Sequence, residues 1–181
     1  GLQVVMPSTP ADAKGLMRTV LLTSADPTIF FSHDRLVDER GAVPDGAYEI
    51  PLGKADIKRE GHDLTIIATS IQVPRALAAA DILAQEGISA EVIDPRTLQP
   101  LDKPALLASV KKTGRVLITD ESHDNCGVAA GLARCAADLG EQHVAAGDFV
   151  TTPGCAFEFR DQPSPCPRKS AARQFTASST R

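Results

Sequence analysis

No apolar run in this 181-residue sequence approaches the roughly 20 residues that a bilayer-spanning helix needs, which excludes a helical membrane-spanning protein. Basic residues are not in excess either. With 19 Lys and Arg against 23 Asp and Glu, the formal charge of -4 gives no general field for nucleic acid. No GxGxxG or GxxxxGK[ST] pattern follows any predicted strand, so a dinucleotide or P-loop site within this chain is not expected. Cys126, Cys135, Cys155 and Cys166 form no CxxC pair and fit no common zinc-knuckle spacing. With no secretory signal, reduced thiols in a bacterial cytoplasm or an organellar matrix are expected. There is no internal repeat or heptad, and no initiating methionine. Gly1 runs almost directly into the apolar LQVVM, which suggests a start cut from a longer protein.

What is present is a globular composition, 43% hydrophobic and 23% charged, long enough for one domain with a real core or one domain plus a piece of another. Residues 2–6, short and β-branched before Pro7, predict a buried strand. STPADAKGLMRTVLL then predicts a helix with Ser8 or Thr9 as cap, Pro10 in its first turn and Asp12 near its positive end. TIFF at 28–31 predicts the next strand, and the stretch 33–61, charged and broken by glycine and proline, predicts a long connection. From Asp63 the pattern becomes regular. LTIIAT, AEVID and RVLIT predict strands, and three helices alternate with them: one through VPRALAAADILAQ, one at about 103–112 capped by Asp102, and one at about 127–139. Such alternation implies a three-layer α/β/α fold with a mostly parallel sheet. Beyond Glu141 the regularity fades, and the Pro-, Ser- and Arg-rich 151–181 is expected to be poorly ordered.

In a parallel sheet the ligand-facing loops follow the carboxyl ends of strands, so loops near Ser70, at Asp94 to Arg96 and at Asp120 to Cys126 share one edge. The last, ESHDNCG, places an acid, a hydroxyl, a histidine, a carboxylate, an amide and a thiol in succession. A Cys126 nucleophile activated by His123 has chemical logic, but nothing else suggests an oxyanion site. Zinc held by His123, Cys126 and Cys135 suffers from Cys135 lying more than two helical turns away. A polar turn in which Asp124 or Asn125 caps the following helix accounts for the residues more simply. In VIDPRT, Asp94 and Arg96 either pair with each other or anchor the turn, or they make an interface or ligand contact. His33 reads as a polar strand-end residue rather than a catalyst.

Together these stretches resemble the beta subunit of the thiamine-diphosphate-dependent 2-oxo acid dehydrogenases. GLQVVMPSTPADAKGLM with DPTIFFSHDRL is similar to the end of that family's pyrimidine-binding domain. YEIPLGKADIKREGHDLTIIATS, AEVIDPRTLQPLD and SVKKTGRVLITDES are similar to its linker and transketolase-type C-terminal domain. The resemblance divides the chain into 1–36, the last β-α-β piece of a pyrimidine-binding domain; 37–61, a linker; 62–150, a transketolase-type C-terminal domain; and 151–181, a divergent tail. It implies oxidative decarboxylation of pyruvate or a related 2-oxo acid with acyl transfer to lipoyl groups. The implied cofactors are thiamine diphosphate and magnesium, bound mainly outside this chain. The implied partners are an alpha subunit, a second beta subunit and a dihydrolipoyl acyltransferase core; composition already argues against nucleic acid and membrane as partners.

The family's cofactor-activating glutamate, with the aromatic and histidine residues around it, belongs to an earlier part of the pyrimidine-binding domain, so no residue here inherits a catalytic, cofactor or metal role. The C-terminal family pattern survives only as an echo in FVTTP at 149–153. What this chain carries over is assembly, with Glu121, His123, Asn125, Gly127, Ala130 and Gly131 as interface residues. NCG resembles some acetoin-dehydrogenase members, and a branched-chain substrate is a further alternative. The rival reading is a flavodoxin-like interaction module without catalysis.

Overall fold

A computed structural model describes residues 1–122, 127–137, 150–152 and 156–160. The first unit is β1 (Gln3–Val5), α1 (Pro10–Thr23) and β2 (Thr28–Phe30), with β1 and β2 parallel. Thr9 caps α1, its hydroxyl accepting from the Asp12 backbone N–H, and Pro10 occupies the first turn. Both features match the sequence expectation. A single 3₁₀ turn, Asp34–Leu36, follows β2.

The second unit is a six-stranded sheet in the order β3-β5-β4-β7-β9-β8. Its centre consists of β4 (Leu64–Ala68), β5 (Ala90–Asp94) and β7 (Arg115–Thr119), which run parallel. Antiparallel strands flank this centre: β3 (Asp56–Arg59) beside β5, and β9 (Ala156–Arg160) with β8 (Val150–Thr152) beyond β7. The crossover helices are α2 (Gln72–Gln85) and α3 (Lys103–Thr113), and α4 (Val128–Ala137) follows β7. Asp102 caps α3 as expected, accepting from Ala105 N–H at 3.3 Å, and Gly114 ends that helix with φ +67°.

Side-chain alternation along the strands builds the three layers. Ile66, Ala68, Ala90 and Val92 pack with Val73, Ala76 and Ala80 of α2 on one face. Ile67, Ile93, Val116 and Ile118 pack with Leu106 and Val110 of α3 and Ala129 and Leu132 of α4 on the other. No helix among the described residues is long and apolar enough to cross a membrane.

Three elements differ from the sequence expectation. Residues 56–59, inside the expected linker, form β3, because a charged edge strand acquires its pairing from a distant partner rather than from a hydrophobic pattern. The turn PRTLQPLD contains β6 (Thr97–Gln99), which pairs antiparallel with β1 and makes a three-stranded sheet ordered β2-β1-β6. Residues 156–160, within the expected tail, form β9, while 161–181 lie outside the described residues.

Candidate functional site

The carboxyl ends of four strands meet where the first unit touches the second. Ser8 follows β1, His33 follows β2, Asp94 ends β5 and Glu121 follows β7. Their side chains join in two pairs, Ser8 with Asp94 and His33 with Glu121. The loop edge expected for the second unit is therefore faced by the equivalent edge of the first.

Glu121 joins three elements. Its Oε2 lies 2.7 Å from Nε2 of His33, and its Oε1 accepts from Arg75 of α2 at 2.7 Å. His33 Nδ1 accepts from the Arg35 backbone N–H at 3.1 Å, so the residue caps the 3₁₀ turn as well. Its place at a strand end matches the sequence reading. Behind Glu121, buried Asp120 accepts from Thr69 Oγ1 at 3.0 Å and from the Ser122 hydroxyl. Ser122 Oγ in turn accepts from Val128 N–H at 2.9 Å, tying the loop to the first turn of α4. A six-residue separation gave no sequence signal for this contact. The expected cap residues Asp124 and Asn125 lie outside the described residues, as do His123 and Cys126.

The Asp94 cluster is more deeply buried. Asp94 is 1% exposed; its Oδ2 accepts from Ser8 Oγ at 2.5 Å and its Oδ1 from Arg96 N–H at 2.8 Å. Burial pushes this carboxyl up to about 6, against the opposing pulls of Ser8, the Arg96 N–H and Lys58. Asp12 of α1 meets Lys58 of β3 at 2.5 Å and Arg96 at 3.3 Å. Burial alone would raise the Asp12 carboxyl, but Lys58, Thr9 and Arg96 hold it below the usual range. Burial would likewise lower Lys58, and its hydrogen bonds to Asp12 and Asp56 hold it above the ordinary lysine value. The VIDPRT turn thus anchors itself, through Asp94 and the Arg96 N–H, and contacts the first unit at Ser8 and Asp12.

At the opposite edge the structure contains a charge that the sequence reading did not single out. Glu91 in β5 is fully buried and paired with Lys112 of α3, which also meets Glu60 at 3.0 Å. Glu91 Oε1 has no hydrogen-bond partner among the described residues. A glutamate near the start of an apolar strand gives no hint of such burial.

Of the remaining predicted interface residues, Gly127 and Ala130 are half-buried and Gly131 is exposed. Nothing lies within 4 Å of the position a Gly131 Cβ would take. Gly127 and Gly131 help line a groove of about 550 Å³, together with Leu98, Leu101, Val128 and Leu132.

Residues 53–154, more than half of the chain, match the family described as Transketolase, C-terminal domain. The chain belongs to the transketolase C-terminal domain family. The relatives that it matches include beta subunits. An acetoin:2,6-dichlorophenolindophenol oxidoreductase subunit beta of Bacillus subtilis is 48% identical over 140 residues, 77% of this chain and 41% of that protein. The pyruvate dehydrogenase E1 component subunit beta of the same organism is 48% identical over 133 residues, 73% of this chain and 41% of that protein. Its 2-oxoisovalerate dehydrogenase subunit beta is 49% identical over 122 residues, 67% of this chain and 37% of that protein. The chain therefore spans about two fifths of the length of the relatives it matches. Among solved structures, a split-gene transketolase described as an inactive beta4 tetramer superposes with a TM-score of 0.67 at 27% identity, over 77% of this chain and 45% of that one.

In this transketolase C-terminal domain and the unit before it, no three His, Cys, Asp or Glu side chains among the described residues are grouped so as to hold a metal ion. The carboxylates at the strand ends are committed to protein partners: Asp94 to Ser8, Glu121 to His33 and Arg75, and Asp120 to Thr69 and Ser122. Among the described residues, the carboxylates at these strand ends therefore do not fit a magnesium site.

Proposed function

We propose that this chain is part of the beta subunit of a thiamine-diphosphate-dependent 2-oxo acid dehydrogenase and serves mainly in subunit assembly. The observation that carries this reading is the identity of 48 to 49% to the beta subunits of a pyruvate dehydrogenase, a 2-oxoisovalerate dehydrogenase and an acetoin oxidoreductase, over 67 to 77% of the chain. The activity of the whole protein is the oxidative decarboxylation of pyruvate or a related 2-oxo acid, with the acyl group passed to a lipoyl carrier. Acetoin is the alternative substrate, and the near-equal identities favour none of the three. Thiamine diphosphate and magnesium are held mainly by residues outside this chain. The partners are an alpha subunit, a second beta subunit and an acyltransferase core, in a bacterial cytoplasm or an organellar matrix.

The division into 1–36, 37–61, 62–150 and 151–181 belongs to the same proposal. Its support is the unfinished look of the first unit. By alternation and register Leu2, Val4, Ile29 and Phe31 share one sheet face, and Leu2, Ile29 and Phe31 are exposed at 50%, 41% and 50%. Parallel strands are ordinarily covered on both faces, so this one suits burial beneath further protein.

Glu121, Gly127, Ala130 and Gly131, with His123 and Asn125, form the proposed assembly surface. Gly131→Val tests it without threatening the fold, since the Cβ position is open and valine is no worse than glycine in a helix. Sedimentation velocity of the chain with its alpha partner should show association weakened by roughly tenfold or more, about 1.4 kcal/mol. Unchanged association would contradict the assignment of this surface.

A further inference from the structure

At the end of β5 the backbone turns through Arg96 with φ +57°, a left-handed conformation that residues with a Cβ adopt rarely. Its contacts over-determine that conformation. The Arg96 N–H donates to Asp94 Oδ1 at 2.8 Å, and its carbonyl accepts from Met6 N–H at 2.8 Å. Nε donates to the Lys54 carbonyl at 3.0 Å and Nη2 to the Ala55 carbonyl at 3.5 Å. Nη1 lies 3.3 Å from Asp12 Oδ1 and 3.8 Å from Asp56 Oδ2. One side chain thus gathers α1, the approach to β3 and the end of β5. Immediately after it, β6 sets off antiparallel to β1. The direction of that strand, and with it the seat of the first unit, follows from the turn at Arg96.

We propose that Arg96 is a positioning residue that locks the first β-α-β unit onto the transketolase C-terminal domain, its left-handed turn and its guanidinium fork acting as one device. The Ser8–Asp94 bond, the Asp12–Lys58 pair and the β1–β6 pairing join the same units, and Arg96 or its turn borders each of them; the separate link through His33 and Glu121 has partly exposed partners, and surface pairs of this kind contribute little. Lysine cannot stand in for Arg96. A single ammonium has no planar fork with which to engage two carbonyls and a carboxylate in fixed directions. Asp12, only 3% exposed and shared by Arg96, Lys58 and Thr9, is the anchor on the side of the first unit.

This lock holds the two units together whatever the substrate. Tyr48 makes it testable, because it is the one tyrosine in a chain without tryptophan. Its hydroxyl donates to the Ala11 carbonyl at 2.7 Å, and Lys14 lies 5.1 Å from the ring centre, so its fluorescence reports on α1 and its surroundings. Far-ultraviolet circular dichroism reports on all helices and strands. In the 181-residue chain the two urea transitions should coincide, as expected of one cooperative unit. Arg96→Gly accommodates the positive φ but removes the fork. It should move the Tyr48 transition to lower urea while most of the dichroism persists, and Arg96→Lys should do the same. A residue that merely adds stability would shift both transitions together. Coincident transitions in both variants would overturn the proposal, as would well-separated transitions in the parent chain.

Discussion

Gly61→Ala should lower the urea midpoint of unfolding more than a methyl added at any other described glycine. A Cβ at Gly61 would sit 2.2 Å from the backbone nitrogen of Glu91 and 2.3 Å from the carbonyl carbon of Ala90. These are backbone atoms at the start of β5, not side-chain ends that can swing aside. The turn between β3 and β4 would have to lift away from β5. That movement would strain the bonds from His62 N–H and Asp63 N–H to the Ser89 carbonyl, at 3.1 and 2.9 Å, and the bond from Ser89 N–H to the Asp63 carboxylate at 2.7 Å. Overpacking typically costs about 1 to 3 kcal/mol and sometimes more, and with backbone on both sides a loss of about 3 kcal/mol is expected. Gly131→Ala is the matched control. Its Cβ meets nothing within 4 Å, and alanine in a helix is favoured over glycine by about 1 kcal/mol. A Gly61→Ala variant as stable as the parent would show that β3 and β4 pack on β5 more loosely than these distances require.

The second large effect is on pH dependence. The Asp94 carboxyl is raised from 3.8 to about 6 in the folded chain, so the folded state binds its proton more tightly than the unfolded state does. The stability linked to this group is therefore fully present below the unfolded value and is lost as pH rises through about 6. Asp12 acts in the opposite sense. Its carboxyl is held below the ordinary value, so its contribution is present at higher pH and lost as pH falls. The parent profile is the sum of the two. Asp94→Asn keeps the shape and an acceptor for the Arg96 N–H while removing the titration. The stability of Asp94→Asn relative to the parent should rise by about 2 to 3 kcal/mol between pH 4 and 7 and then level off, since a tenfold change in proton affinity corresponds to about 1.4 kcal/mol. Urea titrations at a series of pH values measure it directly. A difference that stays flat across that range would show that Asp94 titrates normally.

Much of the second unit was legible because its physics is local. LTIIAT, AEVID and RVLIT are dense in β-branched residues, Asp102 and Gly114 bracket α3, and Thr9 and Pro10 open α1. β3 was not legible. DIKR lacks an apolar face, and only pairing with β5, more than thirty residues on, makes it a strand. β6 was hidden in the same way, since TLQ between two prolines reads as a turn until β1 lies beside it. The candidate site divides along the same line. That loops after β4, β5 and β7 share an edge follows from parallel alternation. That Asp12 of α1 would meet Lys58 and Arg96, or that His33 would meet Glu121, depends on the seating of one unit on the other, which no short window of sequence contains. Glu91 is the clearest case: its burial follows from three-dimensional packing and its partner Lys112 from the length of α3.

On the proposed function, this chain is a working part of a thiamine-diphosphate-dependent beta subunit. The relatives include an enzyme named for reduction of 2,6-dichlorophenolindophenol, which supplies the assay. The measurement is dye reduction by the full-length protein that carries this sequence, purified with its alpha partner and supplied with thiamine diphosphate and magnesium. Pyruvate, 2-oxoisovalerate and acetoin are offered in turn. Cofactor-dependent reduction is expected with at least one of the three, and none when the 181-residue chain replaces the full-length subunit. An intact assembly of both subunits that reduces the dye with none of them, or equal turnover from the 181 residues alone, would contradict the claim.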